Sequence, residues 1–211
     1  PDSPAQEPLL EINWNPLTET YRSMRFIWQH QPVWLAIIAI SWFWFYGATL
    51  LAQFPNFARS VLHGDESVFI LLLTTFSMGI GIGSLLYEKL SRGKVELGLV
   101  MFGGIGITLF SVDLYYASTH IQEHWNNQSI SDYMTFISRH MDIQGHVILS
   151  HWRLILDVIL IGLFGGFYIV PLYAFVQTRA KKSHQSRVIA ATNILNALFM
   201  VISAGFSLWI F

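Results

Sequence analysis

The sequence has no cysteine. Disulfide scaffolds, thiolate-bound zinc, iron–sulfur clusters and thiol catalysis are therefore excluded. Charge is scarce as well: 12% of the 211 residues are Asp, Glu, Lys or Arg, against about 25% in an ordinary soluble domain. The little charge there is nearly balances, with 12 basic and 13 acidic residues. No basic field exists to hold nucleic acid, and there is no acidic tail. Proline is thin beyond the opening segment. Pro1, Pro4, Pro8 and Pro16 lie in residues 1–16, which read as a polar linker. The first 25 residues lack the basic start and apolar core of a signal peptide. The chain opens without a methionine and ends inside an apolar run at Phe211, so the expectation is a piece of a longer protein.

What is abundant is apolar length. Hydrophobic residues make up 53% of the chain, and they fall into five runs: 33–54, 67–87, 95–117, 153–177 and 188–211. A bilayer core of about 30 Å takes roughly 20 apolar residues as a helix. Five such runs leave little chain for a soluble core, so the expected fold is an all-α membrane protein with five transmembrane helices. Residues 1–32 would form a cytoplasmic linker with an amphipathic helix, and 33–211 the bundle. With the N-terminal segment inside, Arg22, Arg25, Lys89, Arg92, Lys94, Arg179, Lys181, Lys182 and Arg187 lie on the cytoplasmic side. Only Arg59, Arg139 and Arg153 lie outside, which satisfies the positive-inside rule. Phe211 then ends outside, and a sixth span would return the chain to the cytoplasm.

Residues 17–31 have helical periodicity, with Leu17, Tyr21, Met24 and Trp28 near one face and Arg22 and Arg25 off it. A helix on the inner membrane surface and a helix packed on the bundle both fit. The first span carries Trp42, Phe43, Trp44, Phe45 and Tyr46. Packing is the plain explanation of this cluster; lining a substrate path is the functional one. The next two spans are rich in glycine. Gly79 and Gly83 form a G-x-x-x-G pair, the spacing that lets helix backbones approach in lipid. The tight inside turn from Gly83 through Glu88, Lys89 and Arg92 to Lys94 can act as a charge latch, or it can simply be a topogenic basic loop.

Residues 118–150 read as a long outside loop, with a short amphipathic helix expected over 129–141. His120, Glu123 and His124 spell H-x-x-E-H, a pattern of one class of zinc peptidase. Plain solvated histidines are the favoured reading, so no metal or other cofactor is assigned. In the fourth span Arg153 and Asp157 stand one turn apart and can pair, which makes a structural role for Asp157 the favoured one over proton coupling. Pro171 removes a helical hydrogen bond deeper in that span, and a kink is expected there. The fifth span carries Asn193 and Asn196, whose amides need either a neighbouring helix or a polar cavity.

Three stretches resemble a known family. Gly162-Leu-Phe-Gly-Gly-Phe-Tyr-Ile-Val-Pro-Leu-Tyr-Ala174, continuing through Gln177, Arg179, Lys181, Lys182, Ser183 and Asn193, resembles the bacterial lysophospholipid transporters of the major facilitator superfamily. Residues 41–52 resemble the opening span of that family's second half, especially the form fused to a glycerophospholipid acyltransferase and an acyl-carrier-protein ligase. Gly83 to Lys94 is similar to the superfamily's inside-loop motif. The resemblance implies helices seven to eleven of a two-halved transporter, partnered by its N-terminal half and a fused acyltransferase. It implies a lysophospholipid substrate, chiefly lysophosphatidylethanolamine, carried across the bacterial inner membrane for reacylation. This chain has Leu51 where those transporters carry a base, and Asn196 near where they carry an acid.

A lipid-transporting half is thus the first expectation. Phe43, Phe45 and Tyr46 would wall the substrate path, Gln53, Asn193 and Asn196 would supply polar contacts, and Gly83, Glu88, Lys89, Arg92 and Pro171 would gate. No covalent chemistry is expected of this segment. The alternatives are a hydrolase built on His120, Glu123 and His124, and a non-transporting anchor for a fused acyltransferase.

Overall fold

The computed structural model describes residues 16–62, 64–123, 145–180 and 185–210. Among them there is no strand. The elements are α1 (Pro16–Trp28), α2 (Gln31–Asn56) with a π-helical turn (Phe57–Val61), α3 (Glu66–Ser91), α4 (Gly98–Glu123), α5 (Gly145–Arg179) and α6 (Gln185–Ile210). Five of them, α2 to α6, are long and apolar enough to cross a membrane, as the five apolar runs predict. The fold is an all-α, multi-pass membrane bundle. Each spanning helix satisfies its backbone N–H and C=O groups within itself, which is what lets it stand in lipid.

The helix ends follow from local chemistry. Pro32 sits in the first turn of α2, where its missing N–H has no partner to lose. Asp65 caps α3, its Oδ1 accepting from the Ser67 backbone N–H at 2.9 Å. That helix stops at Arg92, whose φ of 50° is left-handed and is followed by Gly93 at 74°. Two successive residues there turn the chain, and the Lys94 N–H closes on the Ser91 carbonyl at 2.9 Å.

Two boundaries differ from the hydropathy reading. The first span does not stop at Phe54: the helix passes through Pro55, and the Leu62 N–H reaches back five residues to the Phe57 carbonyl at 3.0 Å. A proline removes only its own donor, and a π turn absorbs the resulting misfit. The outside loop is also shorter than 118–150, because α4 runs on to Glu123 and α5 starts at Gly145. Ser118 and Thr119 donate to the carbonyls of Tyr115 and Tyr116 at 2.7 and 2.9 Å, so polar residues continue the helix beyond the apolar run. Hydropathy marks where lipid ends, not where hydrogen bonding ends.

Helix α5 is the centre of the bundle. It packs on α3, α4 and α2, while α6 packs mainly on α2 and α1. Two apolar cores result. One joins Phe54, Leu62, Leu72, Phe76, Leu114 and Val158. The other joins Ile27, Ile37, Ile40, Leu172, Val188 and Leu195. Their stability comes from close contact, because lipid tails are as apolar as the side chains and each atom pair contributes only about 0.1–0.2 kcal/mol.

The amphipathic segment forms α1 as expected, and it lies on the bundle. Ile27 is buried among Val33, Ile37 and Val188, whereas Tyr21 and Trp28 point outward. Both surfaces of α1 are thus apolar in part, one toward the bundle and one away from it.

Between α3 and α5 the backbones themselves touch. Gly79 and Gly83 of α3 face Gly162 and Gly166 of α5, a G-x-x-x-G on each side. A Cβ on Gly79 would strike the Ile159 carbonyl, one on Gly83 the Leu163 carbonyl, and one on Gly162 the Phe76 carbonyl. On Gly166 it would come within 2.6 Å of the Ser84 nitrogen. Only glycine fits in these four places. Pro171 lies fully buried within α5, which continues through it to Arg179.

Candidate functional site

The aromatic run of α2 faces three ways, because successive helical residues are about 100° apart. Phe43 points at α5, its ring stacked on Tyr168 with centroids 5.9 Å apart. Gly165 lies beneath it; a Cβ there would meet the Phe43 ring at 3.2 Å. Tyr46 points at α4 and shares a 2.7 Å hydrogen bond with Ser111. Phe45 points elsewhere, packing on Trp42 at 5.3 Å and on Phe206 of α6 at 5.7 Å.

A cavity of about 650 Å³ opens where α2, α4 and α5 meet. Its walls include Trp42, Phe43, Tyr46, Ile107, Ser111 and Tyr168. Such a volume lies within the ~300–1,000 Å³ typical of small-molecule sites. Its polar groups are phenols and hydroxyls. Ser111 donates to the Ile107 carbonyl at 2.7 Å and Thr108 to Gly104 at 2.9 Å. Tyr115 and Tyr116 lie at the end toward the C-terminus of α4. A shallower groove of about 690 Å³ shares Gly104, Thr108 and Tyr168 with the cavity and runs along α4 beside Val100, Met101, Ile105 and Leu109. The lining is mostly apolar, and these phenols and hydroxyls are the few polar groups along it.

A second polar arrangement holds α2, α5 and α6 together. Ser41 of α2 donates to the Asn196 side chain at 2.9 Å. Asn196 donates to the Tyr173 hydroxyl at 3.2 Å, and Trp44 donates to the same oxygen at 3.0 Å. About two turns further along the seam, Thr49 and Ser203 share a 2.8 Å bond. Asn196 is thus helix glue in a hydrogen-bonded network, and Tyr173 is its centre.

The sequence-derived candidates divide accordingly. Phe43 and Tyr46 come together at the cavity. Phe45 is on the α6 side, Gln53 is half-buried near the C-terminal end of α2, and Asn193 is exposed. Gly83 sits in the backbone seam with Leu163. Glu88, Lys89 and Arg92 are exposed at the turn that ends α3 and make no ion pair among the described residues. Sequence reasoning did not single out Tyr168, Tyr173 or Ser111. The available signal was a polar tip on a residue inside an apolar run, since a phenol or hydroxyl in lipid needs a partner.

Arg153 does not behave as its spacing to Asp157 predicts. Its guanidinium reaches across to α4 and forks onto Asp113, with Nε to Oδ2 at 2.9 Å and a terminal nitrogen to Oδ1. An interhelical carboxylate met in the bidentate geometry outcompetes one a turn away on the same helix. Asp157 is 1% exposed. Its carboxyl lies against that of Asp113, and its Oδ2 has no hydrogen-bond partner among the described residues.

The side chains of His120 and Glu123, together with His124, the 129–141 segment and Lys181 to Ser183, lie outside the described residues. No protein-family model, no curated protein and no solved structure matches this chain.

Proposed function

We propose that this chain is the C-terminal half of a major facilitator transporter that moves lysophospholipid across a bacterial inner membrane for reacylation. The observation that supports this most is the largely apolar cavity, with a few phenols and hydroxyls, between α2, α4 and α5. A lysophospholipid carries one acyl chain and one polar head. Its chain needs a continuous apolar wall, and the α4 groove with Met101, Ile105 and Leu109 offers one. Its head needs a few donors, and Tyr115 and Tyr116 offer them at the outer end, with Tyr46 able to join them by giving up its bond to Ser111. A head held at the outer end with a tail toward the inner end has the orientation of a lipid in the outer leaflet of that membrane. The N-terminal half would supply the opposite wall, and one half would rock against the other.

The test is a flip assay. Protein containing this chain with its N-terminal half, reconstituted in liposomes, should move labelled lysophosphatidylethanolamine between leaflets and should leave diacyl lipid in place. Absence of lysolipid movement above protein-free liposomes would remove transport and favour a membrane anchor for a fused acyltransferase.

A further inference from the structure

We propose that Asp157 and Asp113 hold one exchangeable proton between them, forming an ion-binding site between α4 and α5. Asp157 is buried in a membrane-crossing helix with one oxygen unpartnered among the described residues. An isolated carboxylate in such a place is poorly tolerated. The base expected to neutralise it is engaged elsewhere, since Arg153 forks onto both oxygens of Asp113. Among the described residues, the charged groups acting on Asp157 are Asp113 and Arg153. Neighbouring turns of α2 and α3 contribute Phe54, Leu62, Val68 and Leu72 to the surrounding core, all apolar. Arg59 and Glu66 are exposed beyond them.

Charge counting then places the proton. Two carboxylates and one guanidinium leave one negative charge; with Arg153 engaged by Asp113 it falls on the buried Asp157, where a single proton cancels it. Asp113 is held as the carboxylate by the two guanidinium bonds. Asp157 therefore carries the O–H and donates it to Asp113, which explains why two carboxyls lie in contact. On release, the proton passes to water on the outer side, where the Arg153 side chain is 47% exposed. The ionised Asp157 then competes for Arg153, one turn away on its own helix. Arg153 leaving Asp113 would undo the ion pair that ties α4 to α5, beside the cavity wall formed by Ser111. That this proton drives lipid movement rests on the transport reading; the proton site itself does not.

Infrared spectroscopy of the purified protein in lipid tests the site without transport. Wild-type protein should show a protonated-carboxyl stretch at neutral pH that disappears on raising the pH. Asp157→Asn should abolish it. Asp113→Asn should abolish it too, because Arg153 is then free to pair with Asp157. Glu66→Gln, an exposed acid, should leave it in place. The proposal is overturned if the band survives Asp157→Asn or Asp113→Asn, if wild-type protein shows none, or if the band responds to sodium and not to pH. In liposomes, Asp157→Asn should lose pH-gradient-driven lysolipid accumulation and keep exchange. A positive infrared result with no lysolipid movement in wild-type protein would keep the proton site and discard transport.

Discussion

Two seams hold this bundle, and they use opposite means. Between α3 and α5, Gly79 and Gly83 meet Gly162 and Gly166, and the helices are joined by backbone contact with no polar side chain. Between α2 and α6, Ser41 with Asn196 and Thr49 with Ser203 join helices that keep their side chains between them. In lipid no hydrophobic force pulls helices together, so a seam needs either very close packing or hydrogen bonds. The glycine seam has one fit, since any added atom strikes a carbonyl. The polar seam has interchangeable partners: a hydroxyl can turn to a backbone carbonyl, as Ser41 already does to Ile37 at 2.9 Å. The first suits a fixed frame and the second suits a joint that shifts.

The largest effect should come from breaking the glycine seam. Gly79→Leu should destabilise the bundle by about 3 kcal/mol or more through overpacking, measured by unfolding in mixed micelles. Gly81→Leu is the matched control, because nothing lies within 4 Å of a Cβ there; its effect should stay within about 0.5 kcal/mol. Equal losses at both positions would mean the two backbones are not in contact.

Next comes Phe43, which joins α2 to α5 at the cavity. Phe43→Ala should cost about 3 kcal/mol of stability and weaken binding of labelled lysolipid. Lost stability with unchanged binding would separate the cavity from the substrate path.

The polar seam should break more gently. Asn196→Ala removes the side-chain acceptor of Ser41 and one donor to Tyr173. It should destabilise by about 1–2 kcal/mol, again read by unfolding. A loss as large as that of Gly79→Leu would make the two seams equivalent and end the contrast between them.

The smallest effect should be that of Tyr46→Phe, which deletes the bond to Ser111 at a cost near ~0.6 kcal/mol. Lysolipid affinity should fall more than stability does, if Tyr46 holds the polar head. Unchanged affinity in an equilibrium binding assay would move the head away from the Tyr46–Ser111 end.

The spans were legible because desolvating a backbone depends on length and composition, both local properties. Gly79 and Gly83 were legible as a contact surface for the same kind of reason: their spacing puts them on one helix face. Their partner was not, since nothing in a span names the helix that will face it. The candidate site was half legible. Phe43 and Tyr46 stand out as aromatics in one run, and both reach the cavity. Phe45, in the same run, does not, because a one- or two-residue step turns a helical side chain onto another neighbour. Asn196 was recognisable as an amide needing partners, but the choice between glue and cavity required Ser41 and Tyr173 to be in place.

Asp113 and Arg153 mark the boundary most clearly. Read along the chain, Arg153 belongs to Asp157; folded, it belongs to Asp113, 40 positions away. Composition and periodicity by themselves decided that this protein is helical and has five helices long and apolar enough to cross a membrane, because both outcomes depend on how a single segment meets lipid or water. Which helices touch, where a cavity is left and which acid loses its counter-ion were decided by the tertiary structure alone, because these depend on pairs of segments far apart in the chain, and lipid gives an isolated segment no preference among its neighbours.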